Sequence, residues 1–304
     1  MNAATRLATY VAGLVVVLAG GWLVGDRTGL GDVEQEPASH STHGDDHGDS
    51  HGDRTDPTIG LPGGLQVSQD GHTLEIVDSG FAPGKQEISF RIVGPDGEPV
   101  TSFERAHEKL LHLIAVRRDF SGFQHVHPVL DADDGTWSVD LDLDAGAWRI
   151  FADFVPTGGA GLTLGADLLV SGPVDRAKPD QQALPRSTHT DRVDGFTVEL
   201  DGELVAGEHA MLELEITKDG EPVTDLQPYL GAYGHLVALR EGDLAYLHVH
   251  PSGEPGDGST EPGPSIEFGA EVPSVGRYHL FLDFKVDGQV HTAQLALDTH
   301  DHDH

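Results

Sequence analysis

The chain has 304 residues, long enough for two domains of ordinary size, each with a buried core. Its 51 acidic residues against 18 basic ones give a formal net charge of −33, and a surface that negative repels nucleic-acid phosphates, which argues against DNA or RNA binding. With no cysteine and only two methionines, disulfides, thiolate sites and a thioether cage for Cu(I) are excluded, so a metal site would use imidazole and carboxylate.

The first predicted element is an apolar segment at the N-terminus. Residues 7–24 form a run of 18 uncharged, mostly apolar residues between Arg6 and Asp26. We interpret residues 1–26 as an uncleaved signal anchor, a single transmembrane helix that leaves the bulk of the chain outside the cytoplasm at the cell membrane. A cleaved signal, giving a secreted protein, is the alternative.

Two polar segments rich in His and Asp flank the remaining chain. Residues 27–60 are interpreted as a disordered spacer and residues 299–304 as a short tail. Their histidines are His40, His43, His47 and His51 in the first segment and His300, His302 and His304 in the second. Such segments can collect metal ions loosely, and a merely solubilising role is the alternative.

An internal repeat occupies the middle of the chain. The segment 97–101 recurs 123 residues further on as 220–224, and segment 151–154 recurs with small changes as 281–284. The repeat predicts two copies of one domain, at residues 61–173 and 193–298, joined by a linker of residues 174–192. Because short alternating strands are bounded by turn residues in each copy, the predicted fold class is all-β. It consists of two tandem immunoglobulin-like or cupredoxin-like β-sandwich domains after the N-terminal transmembrane helix.

Three histidines at fixed spacing are the main candidate site in each copy. Side chains alternate along a strand, so the imidazoles of His125 and His127 project together while Val126 points away. A hairpin would bring His112 beside them. Three imidazoles suit a divalent transition metal, which predicts one site per domain. The predicted ligands are His112, His125 and His127 in the first domain and His235, His248 and His250 in the second.

Asp153 and Asp283 are candidates for a further ligand or for a partner that orients a histidine in their own domains. Each lies in an apolar strand, where a buried carboxylate needs a partner, and an ion pair with an arginine such as Arg117 or Arg240 is the alternative. The ion is predicted to be copper or zinc, Cu(II) or Zn(II), with Cu(II) slightly favoured. An unperturbed imidazole pKa of about 6.5 predicts that metal affinity falls below about pH 6.

Other interpretations of the histidines remain open. The motif histidines would otherwise form a packed, hydrogen-bonded turn, although they recur at unchanged spacing while most neighbouring residues differ. Three further histidines, His107, His279 and His291, are expected to be surface residues rather than ligands.

The motif is similar to one in a family of bacterial exported proteins. His112-Leu113 followed by His125-x-His127-Pro128, repeated from His235 to Pro251, resembles the heavy-metal-associated proteins with immunoglobulin-like, YtkA-like domains. The resemblance covers the motif region of both domains and implies copper handling in the cell envelope. The scarcity of methionine departs from typical periplasmic Cu(I) carriers.

These features together predict an extracytoplasmic, membrane-tethered metal-binding protein, not an enzyme, that sequesters or relays Cu(II) or Zn(II). Its predicted partners are the metal ion, the membrane and an envelope metal transporter or chaperone. A structural or adhesive envelope module with incidental histidines is one alternative. A zinc-dependent hydrolase or hydratase is another, which an open coordination position beneath a pocket would favour.

Overall fold

The computed structural model describes residues 61–173 and 188–300, apart from the side chains of His248 and His250. The predicted transmembrane helix (1–26), the spacer (27–60), most of the linker (174–187) and tail residues 301–304 lie outside the described residues. The described residues form strands and turns without a helix, so the all-β prediction is confirmed. Accordingly, none of them forms a helix long and apolar enough to cross a membrane.

The first repeat forms two five-stranded sheets, ordered β1-β2-β3-β8-β7 and β10-β9-β5-β6, with β4 pairing with β9. All neighbouring strands are antiparallel. The strands are β1 (Ser68–Gln69), β2 (His72–Ile76), β3 (Gly84–Val93), β4 (Phe103–Glu104), β5 (Leu111–Arg117), β6 (Gln124–Val126), β7 (Val129–Asp131), β8 (Thr136–Leu143), β9 (Gly146–Pro156) and β10 (Leu162–Val170).

These two sheets pack face to face as a β-sandwich. Along β3, Ile88, Phe90 and Ile92 are fully buried, whereas the residues between them are partly exposed. This period of two directs one face of the strand into the core. Trp137 from one sheet and Trp148 from the other belong to the same apolar cluster, so both sheets contribute to one core.

The second repeat forms a single nine-stranded sheet, ordered β11-β12-β13-β17-β16-β15-β18-β19, with β14 pairing with β13. The sheet curves back on itself, because Thr188 and Ala296 exchange backbone hydrogen bonds of 2.8 and 3.0 Å and both halves line one core. The strands are β11 (Thr190–Val193), β12 (Phe196–Asp201), β13 (His209–Lys218), β14 (Glu221–Pro222), β15 (Gly234–Arg240), β16 (Tyr246–Pro251), β17 (Ser265–Glu271), β18 (Arg277–Val286) and β19 (Gln289–Asp298).

Strands β5, β9, β15 and β18 are buried on both faces. On β5, Leu111 and Leu113 belong to the core of the first repeat, whereas Ile114 and Val116 belong to a separate apolar cluster. This cluster lies between the two repeats and contains Ile114, Val116, Phe120, Phe151, Val237, Leu239, Leu244, Tyr246 and Phe281. Full burial of such a side chain contributes about 1.5–3 kcal/mol, so the cluster holds the repeats together.

The repeats face each other through equivalent surfaces. Phe123 stacks on Phe281 with ring centroids 4.0 Å apart, and Tyr246 lies against Phe151 at 5.5 Å. The internal repeat equates Phe123 with Tyr246 and Phe151 with Phe281. The two contacts are therefore the same contact with the roles exchanged, as in the interface of a twofold-symmetric dimer.

Candidate metal centre

The hairpin from β5 to β6 places three histidines on the face that meets the second repeat. Ile114 lies opposite His125, which sets the register of the hairpin, and His112 lies opposite Asp153 on the neighbouring strand β9. His112 shares its face of β5 with Ile114, because the two lie two positions apart along the strand. The side chains of His112, His125 and His127 thereby come together.

The spacing of their nitrogen atoms suits a single metal ion. His112 Nδ1 lies 3.1 Å from His125 Nε2 and 3.2 Å from His127 Nε2, and the three ligand atoms lie within 4.8 Å of one another. Bonds of about 2.0–2.1 Å in a tetrahedral zinc site place ligand nitrogens about 3.3–3.4 Å apart. Two of the three separations therefore need to change by only about 0.2 Å.

The outward-facing nitrogens of two rings have partners that fix their tautomers. His112 Nε2 lies 3.0 Å from the carbonyl oxygen of Ala106, which can only accept, so Nε2 carries the proton. His125 Nδ1 lies 2.8 Å from Asp283 Oδ2 and donates to the carboxylate. In the neutral rings, His112 Nδ1 and His125 Nε2 both point lone pairs into the centre. Backbone carbonyls and carboxylates orient metal-binding histidines in this way.

Burial keeps two of the three rings neutral. His112 is 7% exposed, and burial lowers its pKa to about 4 despite its bond to Ala106. Burial, assisted by His125 and His112, lowers the pKa of His127 to about 3. Metal binding requires the neutral form, so protons compete at these two rings only well below the pH of about 6 expected from an unperturbed imidazole. The lone pairs of His112 Nδ1 and His125 Nε2 repel each other, which favours a cation between them or an N–H on His127 Nε2 that donates to His112.

His235 in the second repeat has the same surroundings as His112. Its Nε2 lies 2.8 Å from the carbonyl oxygen of Tyr229, and burial lowers its pKa to about 4. In the backbone, Val237 lies opposite His248, the register that Ile114 and His125 have in the first repeat. The side chains of His248 and His250 lie outside the described residues, so their convergence with His235 stays a prediction.

Both aspartates accept a hydrogen bond from a threonine of the neighbouring strand. Asp153 accepts a hydrogen bond of 3.1 Å from Thr163 on β10, and Asp283 accepts one of 2.6 Å from Thr292 on β19. Asp283 also reaches across the boundary between the repeats to His125. The sequence had assigned Asp283 to the histidines of its own repeat, and it lies opposite His235 in the ladder of β15 and β18.

The two arginines proposed as alternative partners of the aspartates have other contacts. Arg117 Nη1 lies 3.5 Å from Asp119 and also donates to Ser121. Arg240 forms a two-armed ion pair with Asp243. The partners of Asp283 are instead His125 and Thr292.

The expectation of surface positions is wrong for two of the three additional histidines. His279 is 4% exposed and stacks on Phe120 with ring centroids 3.7 Å apart. His291 is 6% exposed and its Nδ1 bonds Asp194 at 2.8 Å. His279 lies on β18 and His291 on β19. Packing against other elements buries these positions, and the local sequence pattern does not reveal that packing.

His107 lies beside the centre. Its ring centroid is 6.0 Å from that of His112 and 5.6 Å from that of His235. The same region contains a cavity of about 30 Å³, large enough for one water molecule or ion. The lining residues with polar side chains are His107, His112, His125, Asp153, His235 and Tyr246. Sequence reasoning missed this position because it depends on the approach of the second repeat.

Comparison with solved structures gives distant likenesses. A Salmonella alpha-2-macroglobulin mutant is 11% identical, with a TM-score of 0.24 over 80% of this chain and 15% of that one. MtrC from Shewanella baltica is 8% identical, with a TM-score of 0.23 over 74% and 68% of the two chains. The FN1–FN3 domains of chicken CNTN1 are 10% identical, with a TM-score of 0.21 over 79% and 69%. The chain thus spans about a seventh of the first of these proteins.

Sequence comparison identifies one family. No curated protein matches the chain. The family described as a domain of unknown function, DUF8832, matches twice, at residues 66–170 and 191–301. Each match covers one copy of the internal repeat, and together they cover more than half of the sequence. The chain therefore belongs to the DUF8832 family and carries two of its domains.

Proposed function

We propose that this protein binds a divalent transition metal, Cu(II) or Zn(II), between its two repeats. The ligands in the first repeat are His112 Nδ1, His125 Nε2 and His127 Nε2. The observation that carries the proposal is the meeting of these nitrogens at 3.1 and 3.2 Å, while the outward nitrogens of His112 and His125 bond a carbonyl and a carboxylate. In the neutral rings the lone pairs of His112 Nδ1 and His125 Nε2 face each other at 3.1 Å, and within the trio only an N–H on His127 Nε2 can donate to His112.

A second site is proposed from the repeat. Its ligands are His235, His248 and His250, with His235 supported by its carbonyl partner and its lowered pKa. The proposal also includes two tandem immunoglobulin-like or cupredoxin-like sandwiches, tethered outside the cytoplasm by the N-terminal segment. In that setting the protein would sequester or relay metal for an envelope transporter or chaperone, in line with its resemblance to YtkA-like proteins.

Two cavities of different size adjoin the buried centre. The side chains of His125 and Asp283 are 6% and 5% exposed, and the adjoining cavity is about 30 Å³. The cavity of about 30 Å³ accepts a water molecule or a single ion. A second pocket of about 340 Å³, within the range of small-molecule sites, borders His107, His112 and Asp153, so the hydrolase or hydratase alternative stays open.

Metal titration of residues 60–300, without the His/Asp-rich segments, tests the proposal. We expect two tightly bound equivalents of Cu(II) or Zn(II), measured by competition with a chromophoric chelator and by elemental analysis. His125→Ala with His127→Ala should remove one equivalent, and His248→Ala with His250→Ala the other. The fourfold variant should bind only weakly.

The matched control is His72→Ala with His209→Ala, which removes two histidines outside the centre and should leave both equivalents bound. If residues 60–300 bound neither metal at micromolar concentration, the histidines would be structural and the proposal wrong. Two tight equivalents in the fourfold variant would also contradict it.

A further inference from the structure

A hydrogen bond between the repeats lies directly behind the proposed metal centre. His125 Nδ1 of the first repeat is 2.8 Å from Asp283 Oδ2 of the second, 158 residues further along the chain. Both side chains are nearly inaccessible, at 6% and 5% exposure. Water therefore competes little with this contact, and loss of either partner would leave a buried polar group unpaired.

Two features hold the carboxylate in this position. Thr292 Oγ1 donates to the other oxygen, Asp283 Oδ1, at 2.6 Å. Two residues before Asp283 on the same strand face, Phe281 is fully buried between the repeats and stacks on Phe123. The position of Asp283 relative to His125 is thus set by the packing of the second repeat against the first.

A carboxylate behind a metal-binding imidazole fixes the ring orientation and tautomer and makes the ligand nitrogen more basic. A proton on Nδ1 of His125 leaves its lone pair on Nε2, the atom that lies 3.1 Å from His112 Nδ1. Among the described residues, neither His112 nor His127 has a carboxylate partner of this kind. The outward nitrogen of His112 instead meets the Ala106 carbonyl.

We infer that the metal centre of the first repeat is a composite of both domains: the first repeat supplies the three ligands, and Asp283 of the second repeat is the positioning residue that orients His125. The inference rests on the proposed function. The docked arrangement of the repeats would then have the higher affinity for the metal ion. Metal binding and docking therefore stabilise each other.

The test is a crossed pair of titrations on the full-length chain. One background, His248→Ala with His250→Ala, retains only the first-repeat centre, and the other, His125→Ala with His127→Ala, retains only the second. Asp283→Asn should weaken Cu(II) or Zn(II) binding in the first background about 10- to 100-fold, the usual effect of removing such an orienting partner. In the second background we expect a markedly smaller change.

Asp194→Asn is the matched control. Asp194 accepts a hydrogen bond of the same 2.8 Å length from His291 in the same repeat, but His291 is not a proposed ligand. Its removal should leave metal affinity unchanged. Thr292→Val provides a second variant that keeps the carboxylate and frees one oxygen, and it should weaken the first-repeat centre less than Asp283→Asn does.

A spectroscopic readout separates orientation of His125 from a general loss of structure. Electron spin echo modulation of the bound Cu(II) detects the remote nitrogen of each coordinated imidazole. Asp283→Asn should change the signal of one remote nitrogen, because its hydrogen-bond acceptor loses its charge, whereas Asp194→Asn should change none.

The outcomes are distinct for the two proposals. If the first background binds neither metal, the proposed function fails. If it binds tightly and Asp283→Asn changes neither the affinity nor the remote-nitrogen signal, the composite centre alone is wrong. An equal or larger loss in the second background would assign Asp283 to its own repeat and would also overturn the inference.

Discussion

The two repeats differ most in the strand that carries the His-x-His motif. In the first, this strand ends at Val126 and a new strand begins at Val129, so the two sheets remain separate. In the second, β16 runs unbroken and pairs with both β15 and β17, which joins all the strands into one sheet. The hairpin register at the histidines is nevertheless the same, with Ile114 opposite His125 and Val237 opposite His248. The geometry that delivers the histidines therefore does not depend on how the sheets are connected.

A second difference lies at the end of the interface away from the centre. On the face of β9 that also carries Phe151, Arg149 donates to the carbonyls of Gly64 and Leu65 and to Asp167. His279 occupies the matching place on β18, with Glu241 3.5 Å from its Nε2. Phe151 and Asp153 on β9 thus have the identical counterparts Phe281 and Asp283 on β18. Arg149 and His279 are the pair that differs. On these two strands, the residues nearer the centre are the ones that the duplication has kept.

The largest expected effect comes from the phenylalanines that hold the repeats together. Phe151 and Phe281 are both fully buried and occupy equivalent positions. Replacing either with Ala should lower the free energy of unfolding by about 3–5 kcal/mol, because each change leaves a cavity. Urea denaturation of the two variants measures this. A difference of more than about 2 kcal/mol between them would indicate that the two halves of the interface are not energetically equivalent.

Acid should destabilise the metal-free protein through His112 and His235. Burial lowers the pKa of both to about 4, against about 6.5 in the unfolded chain. Between these values the unfolded state binds more protons, so stability is full above about pH 6.5 and falls as the pH drops to 4. The loss is on the order of 3 kcal/mol for each histidine, less than additive because they share one cluster.

Chemical denaturation in the presence of a chelator at pH 7.5 and 4.5 tests this effect. His112→Gln and His235→Gln should each reduce the difference in stability between the two pH values by a similar amount. Charge repulsion across the whole protein also changes with pH, but it changes similarly in the wild type and in both variants. Comparing the three proteins therefore removes that contribution. If neither variant altered the pH dependence, the two rings would not be neutral in the folded state.

Local patterns predicted more of this molecule than the long-range contacts did. Strand parity and a hairpin joining His112 to His125 need only 13 residues of sequence, and the described structure brings these histidines together. The contact of His125 with Asp283 and the position of His107 depend on how two complete sheets dock. No periodicity within a strand encodes that docking. The burial of His279 and His291 was not predicted either. Histidine occurs both inside and at the surface of proteins, so residue type alone does not indicate burial.

The smallest expected effect is at His279, where the second repeat departs from the first. Within the described part of the chain, its buried Nδ1 has no hydrogen-bond partner, its Nε2 has only the distant contact of 3.5 Å with Glu241, and burial lowers its pKa. An unsatisfied buried polar group costs about 1–3 kcal/mol, whereas phenylalanine would keep the stack on Phe120 without that cost. The phenylalanine ring is slightly larger than imidazole, and the resulting overpacking offsets part of this stabilisation. His279→Phe should therefore stabilise the protein by about 1 kcal/mol in urea denaturation at pH 7.5. A loss of stability in His279→Phe would mean that the imidazole nitrogens contribute a polar contact that phenylalanine cannot replace.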